Sequence, residues 1–249
     1  MIFLPAIDLL KGQCVRLLHG ERDKATVYPD SPGEVASGFE RDGADGIHVV
    51  DLDGAFEGRR RNIEAVRAVV DSVRIPVEVG GGIRTLGDIE HLLSAGVSRV
   101  ILGTVAVEDP GLLEEAVATY GADRIWAGID ARNGSAAIKG WVKDSGIPAV
   151  ELGKRMKERG VRTVIYTDIR RDGALTGPNI EETRNMAVKT GLSIIASGGV
   201  HALKDILDLM DIEKHGVTGI IAGKAIYEGN ITVKKAVRLL KNKEMGVLD

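Results

Sequence analysis

Short apolar runs rich in valine and isoleucine alternate along this chain with longer segments in which apolar residues recur every three or four positions. The first pattern is that of strands and the second that of amphipathic helices, so the chain is predicted to be a succession of strand–helix units. Strands are expected at 2–8, 46–51, 76–80, 99–103, 124–130, 162–167, 192–197 and 217–222. Runs such as Val164-Ile-Tyr and Ser193-Ile-Ile-Ala suggest burial on both faces, as in parallel strands covered by helices. Helices are expected between them, for example at 62–74, 149–159, 202–214 and 232–241. In the first of these Ile63, Val66, Val70 and Val73 mark one face, and Asn62 stands where a cap is needed.

Eight such units in 249 residues, with no break in composition, predict a single closed (β/α)8 barrel, the TIM-barrel fold, with an open doubly wound sheet as the alternative. A repeat separates the two. Ala6-Ile-Asp8-Leu-Leu-Lys-Gly12 returns as Gly128-Ile-Asp130-Ala-Arg-Asn-Gly134, 122 positions on. Gly81-Gly82 returns as Gly198-Gly199 after 117 positions, and Gly103 as Gly223 after 120. Three signals in one order at nearly one spacing imply two half-barrels, about 1–122 and 123–243, and two equal halves close naturally around a twofold axis.

Composition narrows the function classes. With 44% hydrophobic and 28% charged residues the chain can bury a core without disulfides or metals. A net charge of −3 offers no basic surplus for nucleic acid or an acidic membrane face, so an anionic ligand must be held locally. Cys14 is the only cysteine, which excludes an intrachain disulfide and a cysteine metal cluster; its plain reading is a small buried side chain. The apolar start, Met1 to Ile7, has no basic flank, contains Pro5 and is stopped by Asp8, so it reads as a strand rather than a targeting core. No other run approaches membrane-spanning length, and the cytoplasm is the expected location.

In such a barrel the active site lies at the carboxyl ends of the strands. Asp8 ends the first predicted strand and Asp130 the fifth, half a turn away, so their carboxylates face each other across the mouth. A substrate centre between them can gain a proton on one side and lose one on the other, provided that one carboxyl is kept protonated. The plain alternative is that each Asp merely caps a turn before a glycine; its duplicated placement argues for function. Glycine turns follow the third and seventh strands (Gly81-Gly82; Ser197-Gly198-Gly199) and the fourth and eighth (Gly103-Thr104; Gly223-Lys224). Glycine lets backbone N–H groups approach an oxyanion, and a following helix adds its positive end. Two paired sets imply two phosphate sites and a long bisphosphate whose reacting atoms lie between Asp8 and Asp130.

Taken together, Pro5-Ala-Ile-Asp8, Ile47-His48-Val-Val-Asp51-Leu-Asp, Gly80-Gly-Gly-Ile-Arg84, Ile129-Asp130, Lys139-Gly-Trp141, Tyr166-Thr167-Asp168 with Arg171-Asp-Gly173, Ser197-Gly-Gly199-Val and Gly223-Lys-Ala resemble the phosphoribosylformimino-aminoimidazole-carboxamide ribotide isomerases of histidine biosynthesis. The resemblance spans nearly the whole chain. It implies an Amadori rearrangement of an aminoaldose to an aminoketose, with Asp130 as general acid, Asp8 as general base and Thr167 as a hydrogen-bonding aid to Asp130 or substrate. It implies no metal or organic cofactor, no obligate protein partner and a monomer. Expected substrate contacts are Arg16, His48, Arg84, Trp141 and Gly177 beside the glycine turns, with Trp141 stacking on the imidazole ring or anchoring its own loop. His48, in mid-strand, reads more simply as a satisfied interior histidine than as a proton-transfer group, and Arg59-Arg60-Arg61 most simply as a solvated loop run, with a mobile ligand-facing loop as the sharper alternative. The sister cyclase of the same pathway would carry lysine where this chain reads Cys14-Val-Arg16. A dual-specificity branch acting also on phosphoribosyl anthranilate shares the acid and base. A non-catalytic phosphosugar-binding barrel is the alternative from another class.

Overall fold

A computed structural model describes residues 1–18, 21–58 and 62–244. Its strands, in chain order, are β1 (Ile2–Leu10), β2 (Gln13–Leu18), β3 (Glu21–Val27), β4 (Ile47–Asp51), β5 (Val77–Gly80), β6 (Arg99–Leu102), β7 (Ile125–Arg132), β8 (Ser135–Ile138), β9 (Lys143–Pro148), β10 (Thr163–Asp168), β11 (Ser193–Ser197) and β12 (Val217–Ala222). Eight of them pair in parallel in the order β1, β4, β5, β6, β7, β10, β11, β12, and β12 returns to β1, so the sheet closes on itself. Helices stand between the barrel strands, which makes this a (β/α)8 barrel. The open-sheet alternative falls with that closure.

The remaining four strands were not anticipated. They form an antiparallel hairpin excursion after β1 and another after β7. Both excursions start in a two-residue turn with two positive φ angles, Lys11 (51°) with Gly12 (78°) and Asn133 (53°) with Gly134 (77°). That is the turn whose twist matches paired strands; Asn-Gly is its usual sequence signal, whereas Lys11 takes the left-handed position without one. Asp8 pairs with Val15 and Asp130 with Ala137, again 122 positions apart. The two aspartates therefore do not end their strands; they sit where β1 and β7 rise out of the barrel wall.

Two layers of packing hold the wall. Inside the barrel, Leu4, Ala6, Ile101, Trp126, Ile165, Ile195 and Ile221 form a buried plug, while a larger cluster joins the outer strand faces to the helices. Helix Ile63–Ser72 shows how the pattern was read slightly out of phase: Val66 and Val69 are its buried residues, with Ile63, Val70 and Val73 packed at the margin. Asn62 precedes this helix but makes no side-chain cap. Its amide instead reaches Asp51 (2.6 Å) and Asp53 (3.0 Å), and its Oδ1 accepts from the Gly12 N–H (2.7 Å). A buried network thus ties the first hairpin turn to the end of β4. The helix expected over 202–214 is Leu203–Met210 followed by a 3-10 turn at Glu213–His215. Cys14 is buried and free, and burial pushes its thiol up to about 11, with help from Asp30 and Asp8. Arg59-Arg60-Arg61 lies outside the described residues. No described helix is long and apolar enough to cross a membrane.

Candidate active site

At the carboxyl ends of the barrel strands lies a chamber of about 410 Å³, a size that suits a small-molecule ligand. Four strand-to-strand steps separate β1 from β7 in either direction around the barrel, so Asp8 and Asp130 lie on opposite walls, and both line the chamber. Their surroundings differ. Burial raises the pKa of the Asp130 carboxyl, only partly opposed by hydrogen bonds from Trp141 and Thr167 and by His48. Thr167 is paired with Asp130 across β7 and β10, which places its hydroxyl beside the carboxyl. Asp8 faces the buried Arg16 guanidinium at 3.0 Å. Burial opposes the charge on Arg16, yet Asp8 and then Asp172 more than compensate, and its pKa is raised. One wall therefore favours a carboxylic acid, and the other holds its carboxylate against a cation.

The glycine turns are built by close backbone packing. Gly81 has φ of 103° and Gly82 of 70°; Gly198 and Gly199 both have 89°. A Cβ on Gly81 would overlap the Asp51 carbonyl oxygen, and one on Gly198 would lie 2.7 Å from the Asp168 carbonyl, 117 positions on. Asp51 and Asp168 in turn receive the side-chain amides of Asn62 (2.6 Å) and Asn179 (2.7 Å), also 117 apart. Gly81→Ala is expected to cost about 3 kcal/mol of stability, the sum of a left-handed backbone and an overpacked contact, read as a fall in the urea midpoint. Gly103 (φ −100°, ψ −98°) and Gly223 (φ −123°, ψ −92°) share one conformation before the short helices Thr104–Glu108 and Lys224–Tyr227.

A family model described as histidine biosynthesis protein matches residues 2–232. Curated relatives named 1-(5-phosphoribosyl)-5-((5-phosphoribosylamino)methylideneamino) imidazole-4-carboxamide isomerase include that of Lachnoclostridium phytofermentans, 51% identical over 97% of this chain and 100% of the relative. Those of Carboxydothermus hydrogenoformans (50%; 97% and 99%) and Syntrophomonas wolfei (47%; 98% and 100%) are equally full-length matches. The chain belongs to this family of histidine-biosynthesis isomerases.

The isomerase brings nearly all of its sequence-predicted site residues to one chamber: Asp8, Arg16, His48, Gly81, Gly82, Arg84, Gly103, Thr104, Asp130, Trp141, Thr167, Ser197, Gly198, Gly199, Gly223 and Lys224 all line it. Gly177 does not. It stands behind the wall, donating its N–H to the Gly199 carbonyl (3.0 Å) and accepting from Arg171 (3.0 Å), and so shapes the Gly199 turn. Trp141 has a positive φ of 71° and hydrogen-bonds Asp130; an indole can only donate, so its N–H serves the carboxyl. Thr104 Oγ1 accepts from the Lys139 N–H (2.9 Å), and Lys224 Nζ reaches the Gly173 carbonyl (3.0 Å). The Arg84 guanidinium covers Gly58, and the Arg16 guanidinium covers Gly223; a Cβ at either glycine would overlap it. Asp172 and Phe56 line the chamber too and were missed. Asp172 lies in a turn with no periodic signal, and Phe56 had no chemistry to flag it.

Proposed function

We propose that the isomerase converts the phosphoribosylamino-methylideneamino imidazole carboxamide of its relatives' name from aminoaldose to aminoketose, with Asp130 as acid and Asp8 as base. The contrast between the two facing carboxyls carries this reading: burial favours the protonated form of Asp130, while Asp8 is set against Arg16. Asp130 gives its proton to the ribose ring oxygen, the C1–O bond breaks, and the nitrogen lone pair forms a C=N bond. Asp8 removes the proton from C2; its electron pair becomes a C=C bond, and the C=N pair returns to nitrogen. Asp8 then gives a proton to C1 and Asp130 takes the C2 hydroxyl proton, giving the ketone. Two protons enter the substrate and two leave, so both carboxyls end as they began.

The glycine turns at Gly81-Gly82 with Gly103, and at Gly198-Gly199 with Gly223, are the proposed anchors for the two phosphates. Fixing both ends of the ligand turns remote binding energy into alignment at the reacting carbons. We read the protein as acting alone, as a monomer in the cytoplasm, on a small-molecule bisphosphate. Arg16, held between Asp8 and Asp172, stands where the sister cyclase would carry lysine, which supports the isomerase over the cyclase. The test is turnover by the purified chain of the bisphosphorylated aminoaldose beside phosphoribosyl anthranilate. Conversion of the first alone is expected; conversion of both would place the chain in the dual-specificity branch, and conversion of neither would contradict the reading.

A further inference from the structure

Below the chamber one strand pair is polar in one half of the barrel and apolar in the other. On β10 and β11 the paired inward residues are Ile165 and Ile195, both part of the apolar plug. The residues 117 positions earlier, paired in the same way on β4 and β5, are His48 and Glu78. Glu78 has 0% exposure, with Oε1 2.8 Å from Nδ1 of His48 and Oε2 without a partner. Burying a carboxylate with an unsatisfied oxygen is costly, and the isoleucine pair shows that this fold closes without one.

We propose that Glu78 is a positioning residue for the isomerisation: it holds the His48 ring through Nδ1 and so presents Nε2 as a fixed hydrogen-bonding edge on the wall of the chamber that Asp130 also lines. The inference rests on the isomerase reading of the chamber. Glu78 Oε1 accepting from Nδ1 sets the ring hydrogen there and leaves Nε2 of that tautomer as an acceptor toward the chamber. His48 lines the chamber whereas Glu78 does not, so the dyad runs from the barrel interior to the ligand. The other charged groups beside it are accounted for. Arg99, in register with Glu78 on β6, is stacked over Trp126 at 4.7 Å, and Asp8, two residues beyond His48's β1 neighbour Ala6, is set against Arg16. The offset of 117 shows why only one wall has the dyad: the half that carries it looks across at the acid, and the half that carries the acid has isoleucine.

The test compares Glu78→Gln, His48→Gln and the double variant in the full chain, with histidine side-chain 15N spectra and steady-state kinetics on the bisphosphate. In the parent, His48 is expected to show a protonated Nδ1 and an unprotonated Nε2, with the assignment made by the signals lost in His48→Gln. Glu78→Gln is expected to mix the tautomers and lower kcat about tenfold with KM within about twofold. Added to His48→Gln it should bring no further loss, because its effect passes through the ring. Glu78→Ile, which copies the other half and keeps the interior packed, is expected to behave like Glu78→Gln. Independent, multiplying losses, or an unchanged His48 tautomer in Glu78→Gln, would overturn the proposal and leave Glu78 a packing residue. A parent that turns over no bisphosphate would sink the functional reading instead, and the tautomer signals would still decide whether Glu78 holds His48.

Discussion

Asp130→Asn is expected to lower turnover of the bisphosphate about a thousandfold while leaving product affinity within about threefold. An asparagine keeps the shape and can still receive the hydrogen bonds of Trp141 and Thr167, but it has no proton to give to the ring oxygen. Loss of kcat with binding retained is therefore the signature of the acid. The same substitution is expected to raise the melting temperature at neutral pH. The Asp130 pKa is raised in the folded chain, chiefly by burial, so its contribution to stability is full below the unfolded value and is lost as pH rises through the folded one. At neutral pH the unfolded chain has released this proton, so the native state must either retain it or bury a charge, and the amide removes that burden. The gain should shrink as pH falls into the ordinary carboxylate range, which melting curves across pH can follow. For the parent, kcat/KM should fall on the alkaline side as Asp130 deprotonates, at a pH above the usual aspartate range.

Asp8→Asn is expected to abolish turnover to a similar degree, about a thousandfold, yet to move stability the other way. Arg16 is only 8% exposed and meets Asp8 at 3.0 Å. Removing the carboxylate strands a buried cation, a change that costs about 3 kcal/mol where no other partner remains. Asp172 still acts on Arg16, so a loss of about 2 kcal/mol is the expected figure here. Arg16→Met added to Asp8→Asn should restore much of that stability without restoring turnover. Opposite shifts in melting temperature from two like-for-like substitutions would follow directly from the different environments of two residues that occupy matching positions in a repeat.

That repeat is where the sequence was most informative. Val- and Ile-rich runs marked all eight barrel strands within about two residues of their observed bounds, because strands buried on both faces leave a dense apolar signal. Asp8, Asp130 and the glycine pairs were legible because they recur at one spacing, and recurrence survives without knowledge of contacts. The hairpin strands β2, β3, β8 and β9 were not legible. β9 in particular is largely exposed, so no apolar alternation betrays it. Asn62 was misread for a different reason. Its position before a helix is a local fact, whereas the partners it uses, Asp51, Asp53 and the Gly12 N–H, come from segments brought together by the fold. Gly177 has the composition of a ligand turn, and only the bond to Gly199 shows that it stands one layer back.

Two aspartates on opposite walls of one mouth are proposed to do opposite proton work on a ligand held at both ends. The most direct measurement is turnover of the bisphosphorylated aminoaldose by the parent, Asp8→Asn and Asp130→Asn, with product affinity of all three measured by calorimetry under the same conditions. All three proteins are expected to bind product, and the parent alone to turn substrate over. A variant at either aspartate that turns over as fast as the parent would contradict this.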